Sequence, residues 1–298
     1  MRTAATQPAV RGETIRLAGG RRLGFRQWGD PHGTPVLEFR GLPSSSLGDA
    51  IGQDFLAGRH LRRITVDRPG TGLSDFQPGR TLLDWPADVA QLADALGIGQ
   101  FAVLGTSGGG PYAAACACRL PGRVVRLSLV SALAPLDRPG AGRGMNAGEL
   151  RMMLLSRNLP AVARAVTAVA VAADRIRPGT LIRGLARAVP ECDRAVMARP
   201  EVQASLTDSY HRAFAHGTRG QIHDWGLIAT PWGFRPEDIA VETFLWQGDQ
   251  DDRVPPHHAE YLARAIRGSD LTMLRGEGHM IAFTCIEAAL SQLAADSG

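Results

Sequence analysis

The chain contains no lysine. All 33 of its basic side chains are arginine, set against 29 acidic residues, for a formal charge of +4. Without lysine there can be no P-loop, whose glycine-rich turn ends in Gly-Lys. Schiff-base chemistry is excluded too, since it needs a side-chain amine. Cysteine is scarce: Cys116, Cys118, Cys192 and Cys285 contain no C-x-x-C pair, and a reducing compartment would keep them as thiols. No H-E-x-x-H occurs, and His211, His216 and His223 lack ligand spacing, so neither a metal nor an organic cofactor is expected. No apolar run approaches the roughly 20 residues that span a bilayer. The opening stretch MRTAATQPAVRGETIRLAGG has no apolar segment of the signal-peptide kind. A cytoplasmic protein is expected, with a small-molecule substrate and no membrane partner. The arginines are interspersed with acids and no recognition motif accompanies them, so no nucleic-acid partner is expected either. A homodimer is left open.

What is present suits one large domain, or a domain carrying an insertion: 298 residues, 44% hydrophobic. The first third alternates strand and helix signals. RLGFRQW, VLEF and RRITVD read as strands. A helix follows from about Thr81, with Trp85, Val89, Leu92 and Leu96 on one face, Pro86 in its first turn and Gly97 at its end. FAVLG reads as a buried parallel strand, followed by a helix from Gly108 to about Leu120 and another buried strand, VVRLSLVS. Strand–helix–strand with short links predicts a mostly parallel sheet with helices on both faces, an α/β fold.

The rhythm breaks after about Ala134. Through Phe234 the pattern is helical, with amphipathic pieces LPAVARAVTAVAVAADRI and LIRGLARAV. Strand signals return at VETFLW and LTMLR, each followed by a helix. In the last of these Ile286, Leu290 and Leu293 share a face. The division is therefore a core of residues 1–134 and 235–298, with residues 135–234 inserted as a helical cap.

Gly105-Thr106-Ser107-Gly108-Gly109 is a G-x-S-x-G pattern between a predicted strand and a predicted helix. That context makes it a nucleophile elbow: a sharp, strained turn that presents the serine hydroxyl in a cleft. Side chains two before and two after the serine are expected to collide, which calls for Gly105 and Gly109. A serine needs a base, and the base an orienting acid. Asp251 stands in the turn after VETFLW and His279 in the turn after LTMLR, both at carboxyl ends of predicted strands. Asp249 and Asp252 compete with Asp251 as the acid. His257 and His258 are adjacent on a predicted helix and are read as facing different ways.

At these residues the chain resembles the α/β-hydrolase superfamily, of the capped single-domain kind, from about Leu23 to Asp296. Gly248, Asp251, Val254 and Pro255 match its G-x-x-D-x-x-V-P pattern, GEGHM resembles its histidine loop, and VDRPGTGLSD its structural Asp-x-x-Gly-x-Gly-x-Ser turn. The resemblance implies a Ser107–Asp251–His279 triad, with Asp137 as the alternative acid of those relatives that place it after the preceding strand, and with the backbone N–H groups of Leu42 and Gly108 as the oxyanion hole. Arg40 stands where the family usually has histidine, so either it replaces a structural hydrogen bond or it binds a substrate carboxylate. Thr106 is a second candidate substrate contact. Met152, Met153, Leu154, Leu155 and Trp225 of the cap are expected to line an acyl or ring pocket. The activity implied is hydrolysis of a small hydrophobic ester or lactone through an acyl-enzyme. The rivals are a cyclase, lyase or other non-hydrolytic relative with the same triad, and a ligand-binding protein with a silent one.

Overall fold

The computed structural model describes residues 12–46 and 53–294. The N-terminal stretch read for a leader lies mostly outside them, as do the last four residues. Among the described residues eight strands form one sheet: β1 (Glu13–Arg16), β2 (Arg22–Gly29), β3 (Thr34–Phe39), β4 (Leu61–Val66), β5 (Phe101–Thr106), β6 (Val124–Val130), β7 (Glu242–Gly248) and β8 (Asp270–Leu274). Their order is β1-β2-β4-β3-β5-β6-β7-β8. Only β2 runs antiparallel to its neighbours; every pair from β4 to β8 is parallel. The edge strand β1 has no counterpart in the sequence reading. Its residues are mostly exposed, so no apolar alternation marks it, and pairing with β2 alone makes it a strand.

The central strands are buried on both faces, as parallel strands under two helical layers must be. Within β5, Val103 packs toward α2 (Trp85–Ala95) and α3 (Gly110–Arg119), while Ala102 and Leu104 face α11 (Ile286–Ala294). The helix expected from Thr81 begins as a 3₁₀ turn at Leu82–Asp84, its first N–H donated by Thr81 to the Asp84 carboxylate. Trp85, Val89 and Leu92 form its buried face, and Gly97 leaves it at φ 67°.

Between β6 and β7 the chain is helical: α4 (Ala147–Asn158), α5 (Pro160–Ile176), α6 (Thr180–Arg187), α7 (Glu191–Met197), α8 (Pro200–Ala213) and α9 (Arg219–Ile228). These helices pack chiefly on one another. A separate apolar cluster, Val189, Val196, Met197 and Val202, joins α7 and α8 to Met280 of the core. The layout completes with a four-residue α1 (Gln53–Leu56) and with α10 (His257–Ala265) after β7. Among the described residues no helix is long and apolar enough to cross a membrane.

Candidate active site

Ser107 sits at the carboxyl end of β5, where the strand turns through a short 3₁₀ segment, Ser107–Gly109, into α3. Its φ is 51°, a left-handed conformation that costs a non-glycine residue energy and recurs at functional turns. Each elbow glycine faces atoms that are already in place, and a Cβ at Gly105 would also come within 3.0 Å of the Gly109 carbonyl oxygen. A Cβ at Gly105 would lie 2.7 Å from the Ala113 Cβ on α3, and one at Gly109 would lie 2.0 Å from the Phe39 carbonyl at the end of β3. Glycine is required because α3 and β3 are already there.

The structure brings the three expected side chains together. His279 Nε2 lies 3.0 Å from Ser107 Oγ, and His279 Nδ1 lies 2.8 Å from Asp251 Oδ2. Asp251 is fixed in turn by the N–H groups of Arg253 and Val254, at 2.9 and 2.8 Å, and by the Gln247 side-chain amide. All three are buried. Burial alone would push the His279 imidazole down. The Asp251 carboxylate outweighs it, and the imidazole sits above its ordinary value. Asp251 balances the same two influences in reverse: burial pushes it up, His279 and the two backbone donors pull it down, and the donors win. The pair thus favours a charged imidazolium beside a charged carboxylate, the state a proton-accepting histidine passes through.

The competing acids lie elsewhere. Asp249 accepts from the Gly276 N–H, 2.8 Å away, and Asp137 is exposed. Asp252 is pushed up by burial and by its neighbour Asp251. His257 and His258 do not diverge as expected: their rings stack with centroids 4.5 Å apart. His258 is buried, accepts the Ala134 N–H at Nδ1, and is held neutral, its pKa pushed down by burial to about 3.

Leu42 follows β3 and crowds the elbow, its Cδ1 2.8 Å from where a Gly108 Cβ would be. A Cβ at Gly41 would approach the Ser107 Cβ to 3.2 Å, so the backbone passes directly over the serine. Arg40, Leu42, Thr106, Ser107 and His279 all line one pocket. Its remaining wall differs from the sequence expectation. None of Met152, Met153, Leu154, Leu155 and Trp225 lines it. Met153 is buried in the main core, Trp225 packs against that core, and Leu154 is exposed. The apolar wall comes instead from Ile182 and Leu185 of α6, Leu206 and Tyr210 of α8, and Phe283 and Ile286 beside His279. Periodicity marks a helix as amphipathic but cannot say which of six helices its face meets.

Two buried acids that no motif marked hold this arrangement. Asp193 on α7 accepts the backbone N–H groups of His279 and Met280, at 2.9 and 2.8 Å. Gly278 leaves room for it, since a Cβ there would lie 2.3 Å from its carboxylate. Asp224 on α9 is fully buried. It takes Arg68 at 2.8 Å, Arg80, and the Tyr112 hydroxyl at 2.7 Å. Arg68 also donates to the carbonyls of Arg40 and Gly41, so the Leu42 loop hangs from this network. Burial would push Asp224 up; the two guanidiniums hold it below the ordinary carboxylate value. In the Asp-x-x-Gly-x-Gly-x-Ser turn, Asp67 accepts from Ser46 and Leu73 and stays away from Ser107, the structural part expected of it.

The family model for the alpha/beta hydrolase fold matches residues 34–284. The non-heme chloroperoxidase of Streptomyces lividans is 36% identical over 126 residues, 41% of this chain and 45% of that protein. The chain thus spans less than half the length of that curated relative. Among solved structures, an esterase from Exiguobacterium antarcticum superposes with a TM-score of 0.71 at 20% identity, over 95% of this chain and 98% of the other. The enol-lactonase of Burkholderia xenovorans LB400 gives 0.69 at 21% identity, over 94% and 97%. At such identities these two likenesses speak to the fold.

Proposed function

The chain belongs to the alpha/beta hydrolase fold family, and we propose that it is a serine hydrolase of small hydrophobic esters or lactones. The observation that carries this reading is the unbroken line Ser107 Oγ–His279 Nε2, His279 Nδ1–Asp251 Oδ2 at the floor of a mostly apolar pocket. His279 takes the serine proton as the hydroxyl attacks the carbonyl carbon. Asp251 fixes the tautomer and balances the imidazolium that forms. The carbonyl oxygen turns toward the N–H groups of Leu42, in the loop that packs against the elbow, and Gly108, which follows the nucleophile; these are the proposed oxyanion donors. Collapse of the tetrahedral intermediate expels the alcohol, which takes its proton from His279. Water then enters, loses a proton to His279 and releases the acid. The proton transfers run through His279, 3.0 Å from Ser107 Oγ.

An ester or lactone suits the site because, Ser209 apart, the walls supplied by α6 and α8 are apolar or aromatic. The names of the esterase and the enol-lactonase agree with that chemistry in proteins of the same fold.

The test is p-nitrophenol release from short- and medium-chain esters, with Ser107→Ala beside the wild type. The wild type is expected to turn over, and the variant to lose on the order of 10⁶ in kcat, as when another serine hydrolase loses its nucleophile. A folded wild type that turns over neither esters nor lactones would refute the reading and favour a dedicated non-hydrolytic reaction.

A further inference from the structure

Helix α5 is built inside out. Its inward positions are small or polar: Ala163, Thr167 and Asp174 are its buried residues. Its outward positions carry the large apolar side chains. Val162, Val166, Val169 and Ile176 follow one another at spacings of four, three and seven, a single stripe down the helix. Val169 is 71% exposed and Ile176 81%. Leu154 and Leu159 extend the patch at its N-terminal side. Of the seven large apolar side chains exposed among the described residues, only Val125 lies outside this stretch. A monomer gains nothing by concentrating such residues on one surface helix.

The charge around the stripe has one sign. Between Leu150 and Val189 stand seven arginines, 151, 157, 164, 175, 177, 183 and 187, all exposed, and one acid, Asp174, which is buried. That stretch carries +6 in a chain whose total is +4, so everything outside it sums to −2.

We propose that the α5 face of the cap docks on an anionic lipid surface, the valine–isoleucine stripe entering the headgroup boundary and the arginines lying against lipid phosphates. An exposed apolar stripe on one side of a helix, with that helix's own cations Arg164 and Arg175 on its polar side, is the pattern of a helix that lies in a membrane interface, distinct from one that spans. A second copy of the chain fits less well. A symmetric contact would bring two segments of +6 together, and the exposed positions beside the stripe, Ala165 and Ala172, offer no charge pairing between helices. A nucleic acid would meet the arginines but leave the apolar stripe in water. The proposal stands on α4–α6 alone and does not depend on the hydrolase reading. It departs from the expectation of no membrane partner, which rested on the lack of a spanning run.

The experiment is co-sedimentation of the full chain with vesicles of phosphatidylcholine alone and of equimolar phosphatidylcholine and phosphatidylglycerol. Wild type is expected to bind the mixed vesicles at least about tenfold better than the neutral ones, and to lose that advantage in high salt. Val166→Glu/Val169→Glu alters only exposed positions and is expected to abolish binding while the circular dichroism stays unchanged. Arg175→Gln/Arg177→Gln should weaken partitioning by roughly fivefold per charge removed. The proposal is overturned if wild type sediments with neither vesicle, or if the glutamate variant binds as wild type does. It is also overturned by a dimer, measured without lipid, that the glutamate variant dissociates. Retention on heparin that survives Val166→Glu/Val169→Glu, with no vesicle binding, would overturn it in favour of a polyanion site.

Discussion

Replacing Asp224 by asparagine keeps the shape of the side chain and removes its charge. The consequence follows from where that charge sits. Both its partners, Arg68 and Arg80, have side chains only 2% exposed, and among the described residues Asp224 is the carboxylate that salt-bridges them. Asparagine retains an acceptor for Arg80 or Tyr112 but leaves two buried guanidiniums without their salt-bridge partner. Breaking a buried pair by removing one partner typically costs about 3–5 kcal/mol. That is a large share of the roughly 5–15 kcal/mol that holds a native fold. With a urea slope of about 3 kcal/mol/M, the denaturation midpoint should fall by about 1 M or more. Replacing the whole cluster, Asp224→Leu with Arg68→Met and Arg80→Met, should recover most of that stability, because apolar residues of similar volume often substitute for buried ion pairs at little cost. Ester turnover should not recover with it, since Arg68 also holds the Arg40 and Gly41 carbonyls behind the Leu42 N–H. Circular dichroism in urea reads the first quantity and p-nitrophenyl ester turnover the second. An asparagine variant within 1 kcal/mol of wild type would refute the electrostatic argument, and a triple variant with wild-type turnover would refute the link to the loop.

Two other perturbations test the site from different sides. Because His279 must be neutral to accept a proton and Asp251 holds it above its ordinary 6.5, kcat/KM should rise with pH through a midpoint above that value. Asp251→Asn should move the midpoint down and lower kcat by on the order of 10⁴; an unmoved midpoint would remove Asp251 from the assignment. The same pair sets a stability window. The raised His279 contributes below the ordinary histidine value and loses its contribution as pH rises through its folded pKa. The lowered Asp251 contributes above the ordinary carboxylate value and loses its contribution as pH falls through its folded pKa. Asp193→Ala leaves the buried N–H groups of His279 and Met280 unpartnered, at about 1–3 kcal/mol each. Its kcat should fall more than its KM rises, with partial rescue by Asp193→Asn; a kcat within twofold of wild type would show that the His279 turn holds itself.

What the sequence by itself determined is local. The strand–turn–helix around Gly105–Gly109 was legible because a G-x-S-x-G turn needs its glycines at fixed spacing. Asp251 and His279 were legible as candidates because each follows a strand signal within a few residues, and the G-x-x-D-x-x-V-P likeness set Asp251 before Asp249 and Asp252. The fold class followed from alternating apolar runs, each read without knowing its neighbours. The tertiary structure alone decided the rest. Asp224 meets Arg68 across 156 positions, and Asp193 meets His279 across 86. No short pattern marks an acid whose partners lie that far away along the chain. The pocket wall was misassigned to α4 and to Trp225 of α9, and the sequence could not say which face of α5 looks outward, for one reason. Amphipathic periodicity fixes a helix's two faces, but which face is buried depends on what packs against it, and that is settled by contacts between segments far apart in the chain.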